Sequence, residues 1–174
     1  MSVRPAPPCV LLKLSGACVL LPAALLAEVV SAPSGKLSAA PGDDAAVTRL
    51  DWNGASLPVV PLGDWLHESR SGETAEQPGP APWYAVIVTL GEGGAYPHYA
   101  VPLLEAPVLL SRRTEPGLNT LIATAVVRKS EDPSRSLSHF SVELAGQWLH
   151  LPALERVEAR LQGCVDSGAL NCAP

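Results

Sequence analysis

Side chains that could carry out catalysis or bind a metal ion are few and scattered in this 174-residue chain. The four histidines stand alone: no two are spaced four residues apart, and no cysteine accompanies any of them, as a metal-ligand motif would require. They are His67, His98, His139 and His150. The adjacent carboxylates Asp43 and Asp44 are typical of a solvated loop rather than of an acid–base pair. We therefore predict no metal, no cofactor and no enzymatic activity.

The glycine-containing segments do not match phosphate-binding loops either. Ser34–Leu37 contains a Gly-Lys pair, but it lacks the hydroxyl residue after the lysine and the earlier glycine of that motif. Gly91–Tyr96 departs from the dinucleotide-binding pattern at its last glycine, and a hairpin turn explains its glycines. A small hydrolase would instead need a pocket that gathers distant residues. Such a pocket would draw on two or more of His98, His139, Asp51 and Glu105.

In the absence of a catalytic motif, the side chains best suited to a function are those that bind other proteins. The chain has four tryptophans, at positions 52, 65, 83 and 148. One interpretation places all of them in the core or at the junction of two core regions. The other places Trp52, at the tip of a hairpin, in an interface with a partner, where an exposed tryptophan contributes a large share of the binding energy. The sequence alone leaves both interpretations open.

The composition excludes several classes of function. Twelve Lys and Arg against 17 Asp and Glu give a net charge of −5, which argues against a nucleic-acid partner because phosphates require a basic surface. Apolar residues make up 47% of the chain, which is enough for a packed core. The 18 prolines are spread along the sequence and exclude long helices and coiled coils. We therefore expect a protein rich in strands and loops.

The apolar segment 9–30 admits two interpretations. It resembles the hydrophobic part of a signal peptide, which would make the chain an exported or lipid-anchored envelope protein. However, Lys13, Pro22 and Glu28 interrupt it, and its main apolar stretch, Ala17–Ala27, is far shorter than the ~20 residues that span a membrane. The pattern instead favours strand Cys9–Leu14, a Ser-Gly turn, strand Cys18–Leu21 and a short helix opened by Pro22. We expect no direct membrane insertion, and the exported alternative stays open.

Strand patterns separated by turns continue along the rest of the chain. The clearest hairpin joins the apolar runs 47–52 and 55–60 through Asn53-Gly54, a pair that readily adopts the positive φ angles of a type I′ turn. Helical turns follow at 62–67, and the polar segment 69–82, rich in Pro and Gly, is the predicted linker. Further strands are predicted at 83–90, 96–101, 108–112, 121–128, 139–144 and 147–151, followed by an amphipathic helix at 153–161 that Gly163 ends.

The two halves of the chain repeat the same order of elements. A strand, a glycine turn, a second strand and a proline-led helical turn occur at 11–30 and again at 86–108. The hairpin and helix around Asn53-Gly54 recur around Ala145-Gly146. Such a repeat predicts an all-β fold of two pseudo-repeated, five-stranded SH3-like barrels. We assign subdomain one to about residues 8–68, the linker to 69–82, subdomain two to about 83–162, and a loose tail to 163–174.

The order of these features resembles the CheW-like domain, the adaptor fold of bacterial chemosensory arrays. Residues 20–30, LLPAALLAEVV, resemble the family's LP-x-x-x-V-x-E-V segment. Residues 52–62, WNGASLPVVPL, resemble its N-L-R-G-x-x-x-P-V-x-D-L hairpin. The resemblance covers roughly residues 8–162, and the short, divergent members from type IV pilus (twitching motility) systems are the most similar.

The resemblance implies a cytoplasmic, non-catalytic adaptor that bridges a methyl-accepting chemotaxis receptor and a CheA-type histidine kinase. Where the family's hairpin has Asn, Leu, Arg and Gly, this chain has Asp51, Trp52, Asn53 and Gly54, so the basic residue implicated in partner binding is absent. Pro61 likewise replaces the family's Asp. The fold therefore carries over better than the contacts. We predict partner contacts at Asp51, Trp52 and Asn53 of the hairpin tip, and at Glu28 after the first short helix.

Overall fold

Strands dominate the structure, as the frequent apolar and β-branched runs predict. The computed structural model describes residues 8–32, 36–39, 48–71, 81–91, 96–110, 126–129, 136–144 and 147–167. The strands are β1 (Cys9–Leu14), β2 (Ala17–Pro22), β3 (Leu26–Ser31), β4 (Lys36–Ala39), β5 (Thr48–Trp52), β6 (Ala55–Pro58), β7 (Trp83–Val88), β8 (His98–Leu103), β9 (Val108–Leu110), β10 (Val126–Lys129), β11 (Ser138–Leu144) and β12 (Gln147–Pro152). The helices are a short 3-10 helix (Ala23–Leu25), α1 (Leu62–Ser71) and α2 (Leu154–Ser167).

The larger sheet has six strands, in the order β10-β11-β12-β2-β1-β9. All neighbours in it are antiparallel except β12 and β2, which run parallel. Alternate residues of β1 and β2 are buried, because successive side chains of a strand point to opposite faces. These residues pack with α1 and α2 and form the first core. Its members include Leu12, Val19, Trp65, Val157 and Cys164.

Two three-stranded sheets, β3-β7-β8 and β4-β5-β6, supply the second core. They are joined where Val59, just after β6, pairs in parallel with Ala100 of β8. The amide of Val60 donates to the carbonyl oxygen of Ala100 at 2.7 Å at the same place. The second core consists of Leu50, Leu57, Val59, Tyr84, Val86 and Ala100.

Strand β7 lies between the two cores and is buried on both faces. Tyr84 and Val86 belong to the second core, whereas Ala85 and Ile87 belong to the first. Its run WYAVIV shows no alternation of polar and apolar residues, as expected for a strand that is covered on both sides. The predicted burial of this strand is confirmed, and both cores share it.

Strands from both sides of the predicted linker pair with one another. β1 pairs with β9, β2 with β12 and β3 with β7, so the segments 8–68 and 83–162 share two of the three sheets. The all-β class is confirmed. Among the strands described, each sheet keeps two edges in its hydrogen-bond ladder, so none of the three is closed, and the five-stranded SH3-like barrels stay a prediction. The subdomain boundaries stay a prediction.

The N-terminal apolar segment folds mainly as strands and contributes to the first core. β1 and β2 follow the predicted strands, and Ala23–Leu25 forms the predicted short helix after Pro22. Leu12 and Leu21 are buried, so removal of this segment as a signal peptide would take away core residues. No helix within the described ranges has the length and hydropathy needed to cross a membrane.

Two helix boundaries differ from the predictions. α1 continues to Ser71, into the segment 69–82 assigned as linker. α2 passes through Gly163 and ends at Ser167, so the predicted helix end and the loose tail from 163 are wrong for residues 163–167. The reason is burial: Cys164 is fully buried in the first core and Val165 packs against it, which outweighs the roughly 1 kcal/mol that a glycine costs inside a helix.

Several other predictions lie outside the described residues. They are the linker at 72–80, residues 92–94 of one glycine turn, the turn at 145–146, residues 47, 111–112 and 121–125 of predicted strands, and the tail from 168 to 174.

Candidate functional site

The hairpin formed by β5 and β6 ends in the turn that the sequence predicts. Asn53 and Gly54 have φ angles of 49° and 80°, the left-handed values of a type I′ turn, and Trp52 pairs with Ala55 across it. Asparagine and glycine adopt these angles at the least steric cost. Asp51 and residues 53–56 are exposed, so the hairpin tip stands out into solvent.

Trp52 packs on the second core and is half-buried. Leu50 and Trp52 are two residues apart on β5 and therefore lie on the same face of the strand, with Leu50 inside the core. The indole Nε1 of Trp52 donates a hydrogen bond to Glu28 Oε2 at 2.6 Å. Its ring contacts the ring of His98, with centroids 5.0 Å apart and planes tilted by 54°. Trp52 thus combines the two interpretations of the sequence, since it packs on a core and lies at the surface.

Glu28 and His98 both contact Trp52 beside the second core, and we call the three residues the rim cluster. Each lies two residues along its strand from a residue that packs in that core, and therefore on the same strand face. These are the core residues Leu50 on β5 and Ala100 on β8, and Val30 on β3, which packs against the core. The rim cluster brings two of the four predicted contact residues, Glu28 and Trp52, into a direct hydrogen bond.

Arg49 and Tyr96 form a second contact between β5 and the segment that leads into β8. An Nη2 hydrogen of Arg49 is donated to the Tyr96 hydroxyl at 2.9 Å, and the guanidinium carbon lies 5.4 Å from the ring centroid. The Thr89 hydroxyl donates to the carbonyl oxygens of Tyr96 and Pro97, at 3.2 and 3.1 Å. These contacts hold residues 96 and 97, which directly precede His98, and so help to position His98 in the rim cluster.

Sequence reasoning did not assign His98, Arg49 or Tyr96 to this surface. For His98 a signal is present, because the two-residue period of a strand puts it on the same face as Ala100. No local pattern pairs Arg49 with Tyr96, which are 47 residues apart. Asp51 and Asn53 lie at the exposed tip, on either side of Trp52 in the chain.

Two of the residues that a distributed hydrolase site would need have contacts elsewhere: His139 Nε2 lies 3.1 Å from Glu155 Oε1, and Glu105 accepts a hydrogen bond from Lys13 at 2.7 Å. His98 contacts Trp52, which follows Asp51 in the chain. Within the described ranges, no three histidine, cysteine or carboxylate residues are grouped as metal ligands. The rim cluster and the hairpin tip contain the four predicted contact residues and are therefore the candidate site.

No family model and no curated protein sequence matches this chain. Among solved structures, it is similar to the scaffolding protein TtCheW from Thermoanaerobacter tengcongensis, with a TM-score of 0.55 at 10% sequence identity. The match covers 88% of this chain and 92% of TtCheW. At this identity the likeness concerns the path of the backbone and not individual side chains. The resemblance inferred from the sequence is confirmed at the level of the fold, and the chain has a divergent, all-β, CheW-like fold.

Proposed function

We propose that this chain is a non-catalytic adaptor that couples a methyl-accepting chemotaxis receptor to a CheA-type histidine kinase. The observation that carries the proposal is the fold, which matches over 88% of the chain that of a protein described as a scaffolding protein. The segments 20–30 and 52–62 support it, because they resemble motifs of the same family. The adaptor acts in the cytoplasm at membrane receptor arrays, in a chemosensory system of the type IV pilus, whose divergent members it resembles most.

Partner docking is assigned to the rim cluster and the hairpin tip, a surface that includes Trp52, Asn53, Asp51 and Glu28. Tryptophan is among the residue types that contribute most binding energy at protein interfaces. The carboxylate of Asp51, next to it in the chain, is exposed. The surface therefore suits a partner patch that combines apolar and basic groups. Its anchor is aromatic, since Asn53 replaces the family's basic residue.

An adaptor of this kind regulates through differential affinity. When it binds the kinase-on arrangement of receptor and kinase more tightly than the kinase-off arrangement, it shifts the equilibrium by the ratio of the two affinities. The function needs two binding surfaces with fixed relative geometry, and it needs no bond-breaking group.

Calorimetric titration tests the proposal. The regulatory domain of the kinase and the cytoplasmic tip of the receptor are titrated separately into the wild-type protein and into Trp52→Ala. We expect the wild type to bind both partners. Trp52→Ala should weaken binding of at least one partner by ~2 kcal/mol, or roughly 30-fold, as expected for a tryptophan at the centre of an interface.

Phe140→Ala is the matched control for the tryptophan variant. Phe140 is another aromatic residue, 39% exposed, and lies on β11 in the larger sheet, away from the hairpin tip. We expect this variant to bind both partners like the wild type. Thermal unfolding of both variants checks that each keeps its fold. Failure of the wild type to bind either partner would refute the adaptor function. Full binding by Trp52→Ala would refute the docking surface alone.

A further inference from the structure

We propose that Glu28 is a positioning residue, which acts on partner binding by holding Trp52 in place rather than by contacting the partner through its charge. This inference rests on the proposed function, because it assigns separate roles to two residues of the docking surface. The hydrogen bond from Trp52 Nε1 to Glu28 Oε2 carries it, together with the location of both residues at the rim of the second core.

The hydrogen bond connects two different sheets. Glu28 lies on β3 in the sheet β3-β7-β8, and Trp52 lies on β5, the central strand of β4-β5-β6. At 2.6 Å, between an N–H group and a carboxylate, the bond is short and charge-assisted. An indole has a single donor, so its hydrogen bond to Glu28 favours one orientation of the ring. One carboxylate oxygen of Glu28 is therefore occupied by the hydrogen bond to the indole of Trp52, the ring that we expect the partner to contact.

His98 restrains the same indole by ring contact. Its ring centroid lies 5.0 Å from that of Trp52, and pairing with Val88 on β7 places His98 at the start of β8. A side chain that is bonded at its N–H group and packed against a second ring has little rotamer freedom left to lose when a partner binds. Trp52 is thus preorganised for binding. Loss of the Glu28 oxygen should therefore lower the affinity through its effect on Trp52.

Two substitutions of Glu28 separate positioning from direct charge contact. Glu28→Gln keeps an acceptor oxygen for the indole but removes the charge, whereas Glu28→Ala removes both. We expect Glu28→Gln to bind the kinase and receptor domains like the wild type, and Glu28→Ala to bind about 3- to 10-fold more weakly. In a Trp52→Ala background, Glu28→Ala should cause no further loss.

Glu105→Ala is the matched control. Glu105 is also an exposed carboxylate in a short hydrogen bond, 2.7 Å from the Lys13 ammonium group, but it lies outside the docking surface. We expect this variant to bind both partners with wild-type affinity.

Tryptophan labelled with nitrogen-15 gives a readout that does not depend on any partner. The indole N–H resonance of Trp52 is assigned by its loss in Trp52→Phe. In Glu28→Ala this resonance should shift and its proton should exchange faster with water, whereas in Glu28→Gln it should stay close to the wild-type position. The indole resonances of Trp65, Trp83 and Trp148 serve as internal controls for the fold.

The outcomes distinguish the inference from the proposed function. Equal weakening by Glu28→Gln and Glu28→Ala would show direct charge contact and overturn the inference, while the adaptor function would stand. Unchanged binding by Glu28→Ala, or a loss that persists without Trp52, would overturn the inference as well. Failure of the wild type to bind either partner would refute the proposed function, and the indole resonance would still decide whether Glu28 holds Trp52.

Discussion

Tyr99 is fully buried on β8, and its hydroxyl has no hydrogen-bond partner in the part of the chain that the structure describes. A hydroxyl that loses water without gaining a partner destabilises the folded state by about 1–3 kcal/mol. Phenylalanine has nearly the same shape and lacks this group. We therefore expect Tyr99→Phe to raise the free energy of unfolding by roughly 1 kcal/mol at neutral pH, as measured by urea denaturation.

The same burial makes stability depend on pH in alkaline solution. Burial raises the pKa of Tyr99 above its ordinary value of 10.0, and the charge of Glu158 acts in the same direction. Above about pH 10 the unfolded chain loses this proton while the folded chain keeps it. The free energy of unfolding therefore falls with rising pH, by up to about 1.4 kcal/mol per pH unit, and is unaffected by this group at lower pH.

Tyr99→Phe should reduce the alkaline loss of stability without abolishing it. Burial also raises the pKa of Tyr84, which contributes with the same sign. Urea denaturation at a series of pH values between about 9 and 11 measures the slope for both proteins. If the slope were identical in the wild type and the variant, Tyr99 would ionise as readily in the folded chain as in the unfolded one.

Single residues of the docking surface differ in how far the sequence predicts them. Asn53 and Gly54 predict the turn, and with it the exposed tip, because a positive φ angle is a local property. The hydrogen bond between Trp52 and Glu28 joins residues 24 positions apart on strands of different sheets. It depends on how the two sheets pack, and no local pattern encodes it. Their shared location at the rim follows only from the assembled second core.

At the scale of elements, two glycines lie inside helices and differ in the space that an added Cβ atom would find. Gly63 lies in the first turn of α1, and a Cβ atom added there would clash with the carbonyl oxygen of Ser15 and lie 3.1 Å from Leu14 Cβ. α1 therefore rests directly on the turn between β1 and β2. Gly163 lies within α2, and a Cβ atom added there would meet nothing within 4 Å.

We expect Gly63→Ala and Gly163→Ala to change stability in opposite directions. Alanine is favoured over glycine inside a helix by about 0.5–1 kcal/mol, and this gain should appear in full at position 163. At position 63 the clash is with backbone, which cannot rotate away, so we expect a net loss of about 1–3 kcal/mol. Urea denaturation of both variants measures the difference. Equal stabilisation by both substitutions would contradict the close packing of α1 on the hairpin.

Element types were more predictable than element partners. The starts of β1, β5, β7, β12 and α2 agree with the predictions to within one residue, because alternation, turn residues and helical spacing are local signals. The pairing of β3 with β7 and of β2 with β12 depends on which apolar faces meet in the folded chain. The end of α2 depends likewise on the burial of Cys164, which lies beyond the glycine expected to stop the helix.

At the scale of the whole molecule, strand pairs that cross the predicted linker hold the two halves together. Three such pairs exist among the strands described: β1 with β9, β2 with β12 and β3 with β7. The first core likewise takes Leu12 and Leu21 from the first half of the chain, and Ile87 and Val157 from the second. Neither half completes this core from its own residues.

We therefore expect the fragments 1–76 and 77–174 to be unfolded when separate and to regain structure when mixed from denaturant. Circular dichroism and thermal unfolding measure this for each fragment and for the mixture. As a control, a protease site placed between residues 76 and 77 is cut after folding, and the two pieces should stay together in size-exclusion chromatography. Cooperative unfolding of isolated 77–174 would instead establish subdomain two, residues 83–162, as an independent unit.

Because β7 contributes to both cores, we expect the whole of the fragment 77–174, and not one part of it, to lose its structure. Its four buried residues are covered by both cores, and the fragment lacks β3, the 3-10 helix and every strand of the sheet β4-β5-β6. Both faces of β7 would lose apolar contacts, and its edge toward β3 would be unpaired. An exposed apolar strand edge of this kind favours association with other chains over isolated folding. The complementary fragment 1–76 supplies the natural partner for that edge, so mixing should restore the sheet and both cores together.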